Sequence, residues 1–120
     1  MKKRAAILVS SDSGYKGERE DKSGPAIRKI VQEAGYEVTE YEILPDEQEM
    51  LSAWMKRIAD EGRAELILTS GGTGFSRRDC MPEATMQIAQ KVVPGIPEAM
   101  RSYSAQFTKR AMLSRAVCVI

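Results

Sequence analysis

Short apolar runs alternate with amphipathic stretches along this chain of 120 residues, and the alternation predicts the architecture. Ala5–Ser10 (AAILVS) is a continuous apolar run of strand length, the pattern of a strand buried on both faces of a parallel sheet. After a polar segment (SDSGYKGEREDKSG), Ser23 is placed to cap a helix with Pro25 in its first turn. Ile27, Ile30, Val31 and Ala34 form its apolar stripe, and Gly35 ends it. Tyr36–Leu44 (YEVTEYEIL) alternates and is rich in β-formers, so it reads as a second strand stopped by Pro45. Asp46 stands where a cap belongs, ahead of a helical stripe of Met50, Leu51, Trp54, Met55 and Ile58 that Gly62 closes. Residues 64–70 (AELILTS) predict a third strand, and helices are expected over 82–91 and 98–107, separated by VVPGIP.

Strands taken in turn with helices imply right-handed βαβ units that place helices on both sheet faces. The expectation is one domain over residues 1–120, a three-layer α/β/α sandwich around a mostly parallel sheet. Three strands are few for this many helices, and the chain stops in the apolar SRAVCVI. A fold lacking its C-terminal part is therefore expected.

Charge changes this picture little: Lys+Arg 18 against Asp+Glu 17 leaves +1, so there is no bulk attraction for nucleic acid and any anion recognition must be local. No run approaches the roughly 18 apolar residues of a membrane span. The basic start followed by AAILVSSD and GYKGERED reads as a buried first strand and not as a secretory leader. Cys80 and Cys118 have no metal-ligand spacing, and two cysteines make no disulfide framework, so a reducing cytoplasm is the default compartment. With no histidine in the sequence, Ser–His, Cys–His and histidine-based zinc chemistry are excluded.

The remaining chemistry gathers at the predicted strand ends. In open α/β sheets ligands sit beyond the carboxyl ends of the strands. Here those ends carry Ser10, Ser11 and Asp12; Pro45, Asp46 and Glu47; and Ser70, Gly71, Gly72, Thr73 and Gly74. Consecutive glycines let backbone N–H groups converge on an anion, Ser70 and Thr73 add hydroxyls, and Arg77 and Arg78 add charge. Asp12, Asp46 and Asp79 would repel an anionic ligand unless a hard cation intervened, and Mg²⁺ takes one or two carboxylates together with substrate phosphates. Plainer readings stand beside these: a tight turn for the glycines, helix capping for Asp46 and Asp79, loop acids for Asp12 and Asp21, and a solvated pair for the arginines. Cys80, Trp54 and the methionines read as core.

The segments SGGTG…RDCMPEAT, PGIPEAMR and AMLSR, with SDSGYKGEREDKSGPAI and LPDE before them, resemble the MogA/MoaB-type molybdopterin-binding family, which includes the gephyrin G domain. The family pattern T-G-G-T-G-x-x-x-R-D-x-T-P-E-A-T is matched nearly throughout from Thr69 to Thr85, and P-G-x-x-E-x-x-R from Pro94 to Arg101. The resemblance implies Mg²⁺-dependent transfer of AMP from ATP to the molybdopterin phosphate. It also implies a homotrimer, a MoeA-type molybdenum insertase as partner, and neither nucleic acid nor membrane. It assigns Asp46 and Asp79 as catalytic and metal-associated residues. It assigns Ser10, Asp12, Ser23, Gly24, Gly71, Gly72, Thr73 and Gly74 to substrate binding, and Ser70 and Arg78 join them as the hydroxyl and charge expected beside the glycine loop. Two other readings are a MoaB-like binder without transferase activity and a nucleotide pyrophosphatase of the competence-damage type. The family's usual threonine is Met81 here, which either removes a hydroxyl from the loop or faces the protein, and the family's N-L-P-G-[SQ]-P loop lies beyond Ile120.

Overall fold

In the computed structural model, which describes residues 3–120, three parallel strands form one sheet in the order β2-β1-β3. Strand β1 (Lys3–Ser10) is central, between β2 (Tyr36–Leu44) and β3 (Leu66–Ser70). Helix α1 (Asp12–Tyr15) is a single turn, α2 (Ser23–Glu33) joins β1 to β2, and α3 (Gln48–Asp60) joins β2 to β3. Helices α4 (Met81–Ile88) and α5 (Gly95–Ser104) follow, then a 3₁₀ turn at Lys109–Leu113. Because β2 and β3 flank β1 on opposite sides, right-handed crossovers put α2 on one face and α3 on the other. The expected three-layer α/β arrangement with a parallel sheet is what the structure contains.

The apolar run of β1 is buried on both faces, with Ala5, Ala6, Ile7 and Leu8 wholly inaccessible. Ala6 and Leu8 share one core with Leu51, Trp54, Met55 and Ile58 of α3 and with Met81 and Ala84 of α4. Complete burial of side chains such as Leu8, Leu51 and Ile58 contributes about 1.5–3 kcal/mol each. Trp54 and Met81 are therefore core residues, and Met81 faces the protein.

Strand β2 alternates in two phases: Tyr36 and Val38 occupy one set of positions, Tyr41 and Ile43 the other. The structure reconciles them with a bulge. Ala5 pairs with Val38 but Ala6 pairs with Glu40, which leaves Thr39 without a partner. Since one residue of slip turns every later side chain to the opposite face, Tyr41 and Ile43 come onto the α2 side with Val38, while Leu44 packs on the α3–α4 core.

Several local expectations are corrected. The three predicted caps are not caps: Lys22, Glu47 and Cys80 occupy the N-cap positions of α2, α3 and α4, none with a side-chain cap bond. Ser23, Asp46 and Asp79 are thus not engaged as helix caps; Asp21 instead accepts from the Ser23 N–H (3.0 Å) and the Gly24 N–H (3.1 Å). On α2 only Val31 of the predicted stripe is buried, with Ile30 and Ala34 exposed, and Met50 of α3 is also exposed. Helix α4 stops at Ile88 and α5 begins at Gly95, ahead of the expected Glu98, because Pro94 serves as its N-cap. The closing apolar segment runs against the α4–α5 connection, where Val92 and Val119 form an antiparallel bridge.

Candidate active site

The topology creates a switch point at the carboxyl end of β1, where neighbouring strands lead away to opposite faces and a crevice opens. Gly71, at the end of β3, crosses this point with φ +95°, and Gly72 follows with φ +72°. A Cβ on Gly71 would collide with the Ser10 carbonyl oxygen, and one on Gly72 would lie 3.1 Å from the Met81 Cβ. Both positions therefore need glycine, for backbone conformation and for space. Among the described residues the amides of Gly72, Thr73 and Gly74 donate to no backbone carbonyl, which leaves them for an outside acceptor.

The aspartates of the first two loops interlock. The Asp46 N–H donates to Asp12 Oδ1 (2.9 Å), and the Asp12 N–H donates to Asp46 Oδ2 (3.2 Å). Ser10, whose side chain follows Ala6 and Leu8 onto the α3 face, donates its hydroxyl to Asp46 Oδ1. Both Asp46 oxygens are consequently held at the end of the sheet. Ser11 caps α1 by accepting the Gly14 N–H (3.0 Å), which fixes Asp12 as the first residue of that turn.

Arg78 reaches across from the glycine-loop extension. Its Nε and Nη2 donate to the two oxygens of Asp12 (3.0 and 2.9 Å), and Nη1 donates to Glu47 (3.0 Å). This two-point contact, reinforced by the Asp46 N–H, lowers the Asp12 carboxyl from its ordinary 3.8 to about 2. The same contacts push the Arg78 guanidinium upward. Arg78 is thus committed to carboxylates and is not standing free toward a phosphate. Burial, and secondarily the charge of Asp46, raises the Cys80 thiol, which fits a packing role.

Ser10, Ser23, Ser70 and Gly71 line one cleft of about 520 Å³, which Arg19 and Lys22 also border. Asp12, Gly24, Asp46, Gly72, Thr73, Gly74, Arg78 and Asp79 stand outside that lining; Thr73, Gly74 and Asp79 are organised by a residue that sequence reasoning missed. Arg115 donates to the Gly74 carbonyl (2.8 Å), the Asp79 carbonyl (3.1 Å) and Glu83 (2.6 Å), and its own N–H bonds the Thr73 carbonyl (3.0 Å). Arg101 in turn donates to the Ser114 and Ala116 carbonyls (3.2 and 3.1 Å) and steadies the segment that carries Arg115. No spacing rule connects Arg115 to Gly74; only the quoted AMLSR motif marked its neighbourhood. Asp79 accepts the Ser76 N–H (3.0 Å), closing its own loop.

Among the described residues no three of His, Cys, Asp and Glu gather as a metal cage. The donor set fits a different pattern, in which one or two carboxylates share Mg²⁺ with substrate phosphates. Asp79 lies against Gly74 of the glycine loop, and Asp46 is bonded to Ser10 at the end of β1.

Comparison with known proteins gives a consistent picture. The chain matches the probable molybdopterin binding domain family over residues 6–120. The molybdopterin adenylyltransferase of Helicobacter pylori (strain J99) is 40% identical over 91% of this chain, and that of Escherichia coli K12 is 38% identical over 98%. The chain spans 63% and 61% of the length of those two proteins. The crystal structure of the molybdopterin biosynthesis enzyme MoaB from Thermus thermophilus has a TM-score of 0.89 at 43% identity, covering 98% of this chain and 74% of that one.

Proposed function

The chain belongs to the family of probable molybdopterin-binding domains, and from that premise we propose that it acts in molybdenum cofactor biosynthesis by transferring AMP from ATP to the molybdopterin phosphate. The observation that carries the reading is the interlocked pair Asp12–Asp46, held by Ser10 at the switch point beside the glycine loop. Relatives named molybdopterin adenylyltransferase at 38–40% identity support the same chemistry.

In the proposed reaction a molybdopterin phosphate oxygen attacks the α-phosphorus of ATP. The bond from that phosphorus to the oxygen bridging the β-phosphate breaks in line, and pyrophosphate leaves. Nucleophile and leaving group are already anionic, so the protein needs to position them and offset charge; no histidine base is required. The amides of Gly72, Thr73 and Gly74 cradle a phosphate, with Ser70 and Thr73 hydroxyls beside them. Ser10 and Ser23 form the opposite wall. Asp46 and Asp79 would hold Mg²⁺ carried in on the phosphates, where it offsets charge on the transferring group. Arg78 keeps Asp12, and through it Asp46, in register.

The homotrimer belongs to this proposal; the exposure of Ile96, Met100 and Tyr103 at helical spacing on α5, with Phe107 just beyond its end, supports a subunit contact there. Location in the cytoplasm and delivery of the product to a MoeA-type insertase complete the reading. Pyrophosphate release on incubation with molybdopterin, ATP and Mg²⁺ tests it. Release that needs all three is expected. Pterin binding without release would overturn the transferase and leave a binding protein, and nucleotide cleavage without pterin would indicate a pyrophosphatase.

A further inference from the structure

A cluster that the assigned site leaves unused lies where α2 begins. Tyr41 of β2 donates its hydroxyl to Asp21 Oδ2. Asp21 also accepts the Ser23 N–H at 3.0 Å and the Gly24 N–H at 3.1 Å. The Tyr41 ring lies so close to Gly24 that a Cβ there would overlap both the ring and the Asp21 carboxylate. The Arg28 guanidinium lies over the ring, 5.7 Å from its centroid. Asp21 and Ser23 both line the cleft.

The bulge at Thr39 makes this arrangement possible. Were β2 paired with β1 without interruption, Tyr41 would point to the α3 face, away from α2. Bulges of this kind re-aim side chains beside functional sites. The two-phase pattern of β2 and the glycine at position 24 are then two parts of one device.

We propose that Asp21 and Tyr41 are positioning residues that latch the loop before α2 through the Ser23 and Gly24 amides and hold Ser23 as a rigid wall of the substrate cleft. The identity of the ligand in that cleft rests on the proposed function; the latch itself does not. Asp21 accepts three donors at once, so it replaces the missing Ser23 cap and leaves the Ser23 hydroxyl free for the ligand. Burial, followed by the Asp21 contact, raises the Tyr41 phenol to about 12, which makes its proton a spectroscopic reporter of the latch.

Tyr41→Phe keeps the ring against Gly24 and removes only the hydroxyl; Asp21→Asn removes the charge. Amide exchange at Ser23 and Gly24 is expected to accelerate at least tenfold in both. Absorbance at 295 nm should show the Tyr41 phenol falling below about 12 in Asp21→Asn, with the part of the rise that comes from burial retained. KM for ATP or molybdopterin should rise at least fivefold while kcat stays within twofold, a split that a general loss of stability would not produce. If the wild-type chain releases no pyrophosphate, the proposed function falls, and the dissociation constant for ATP by calorimetry replaces KM. Unchanged exchange in both variants, or exchange accelerated with KM and the dissociation constant unmoved, would overturn the latch.

Discussion

Gly71→Ala tests the closest approach of backbone to a glycine in the site, and Gly35→Ala supplies its internal reference. Both glycines have positive φ, +95° and +97°. At Gly35 a Cβ would meet nothing within 4 Å, whereas at Gly71 it would strike the Ser10 carbonyl oxygen. Gly35→Ala should therefore carry only the conformational cost of a left-handed alanine, about 1–2 kcal/mol. Gly71→Ala should carry that and an overpacking cost, because the obstacle is backbone of the central strand and the carboxyl ends of β1 and β3 would have to part. Overpacking adds about 1–3 kcal/mol, for a total of roughly 3 kcal/mol. With a urea slope of about 1.5 kcal/mol per molar, the midpoint should fall by about 2 M for Gly71→Ala and about 1 M for Gly35→Ala. Such a loss is a large share of the roughly 5–15 kcal/mol that keeps a domain folded. Equal midpoint shifts in the two variants would refute the reasoning, since the contact with Ser10 would then contribute nothing. Where Gly71→Ala remains folded, pyrophosphate release should drop much further than in Gly35→Ala, because only the former moves the phosphate loop.

Other expectations follow from the same site. Asp46→Asn and Asp79→Asn should each reduce pyrophosphate release by more than about 100-fold with only a small fall in the thermal midpoint, since neither residue caps α3 or α4 and the amide oxygen still accepts one of the native bonds. Because the folded Asp12 carboxyl lies near 2 and its ordinary value is 3.8, the unfolded chain binds more protons between these values. The stabilisation it provides is thus complete above about pH 4 and lost as pH falls through 2. Carboxyl titration by NMR should show Asp12 returning toward its ordinary range in Arg78→Gln. Arg115→Gln should lower the thermal midpoint and raise KM for ATP, because the Gly74 and Asp79 carbonyls lose their common donor. An unchanged KM would remove Arg115 from the site.

Local patterns were legible to different depths. The strand β1 was plain because burial on both faces leaves an unbroken apolar run, and the core of α3 was plain because its stripe recurs at helical spacing. The stripe of α2 misled. Ile30 and Ala34 are apolar by identity yet lie on the solvent side, and periodicity records chemistry without recording which neighbour is there to cover it. Asp46 and Asp79 were marked both as caps and as site acids. Sequence position permits either role, and only the hydrogen bonds, made to Ser10, Asp12 and Ser76 and not to the amides of α3 or α4, distinguish them.

What the sequence alone determined is the set of elements, their parallel βαβ order and the collection of serines, glycines and acids at the strand ends. Those depend on side-chain period and chain direction, which are properties of neighbours along the chain. Tertiary structure decided how the acids are used. Arg78 comes to rest on Asp12, Arg115 ties the glycine loop from the far end of the chain, and the Thr39 bulge turns Tyr41 toward Gly24. Each is a contact between distant segments, and its geometry exists only after the sheet has set their register.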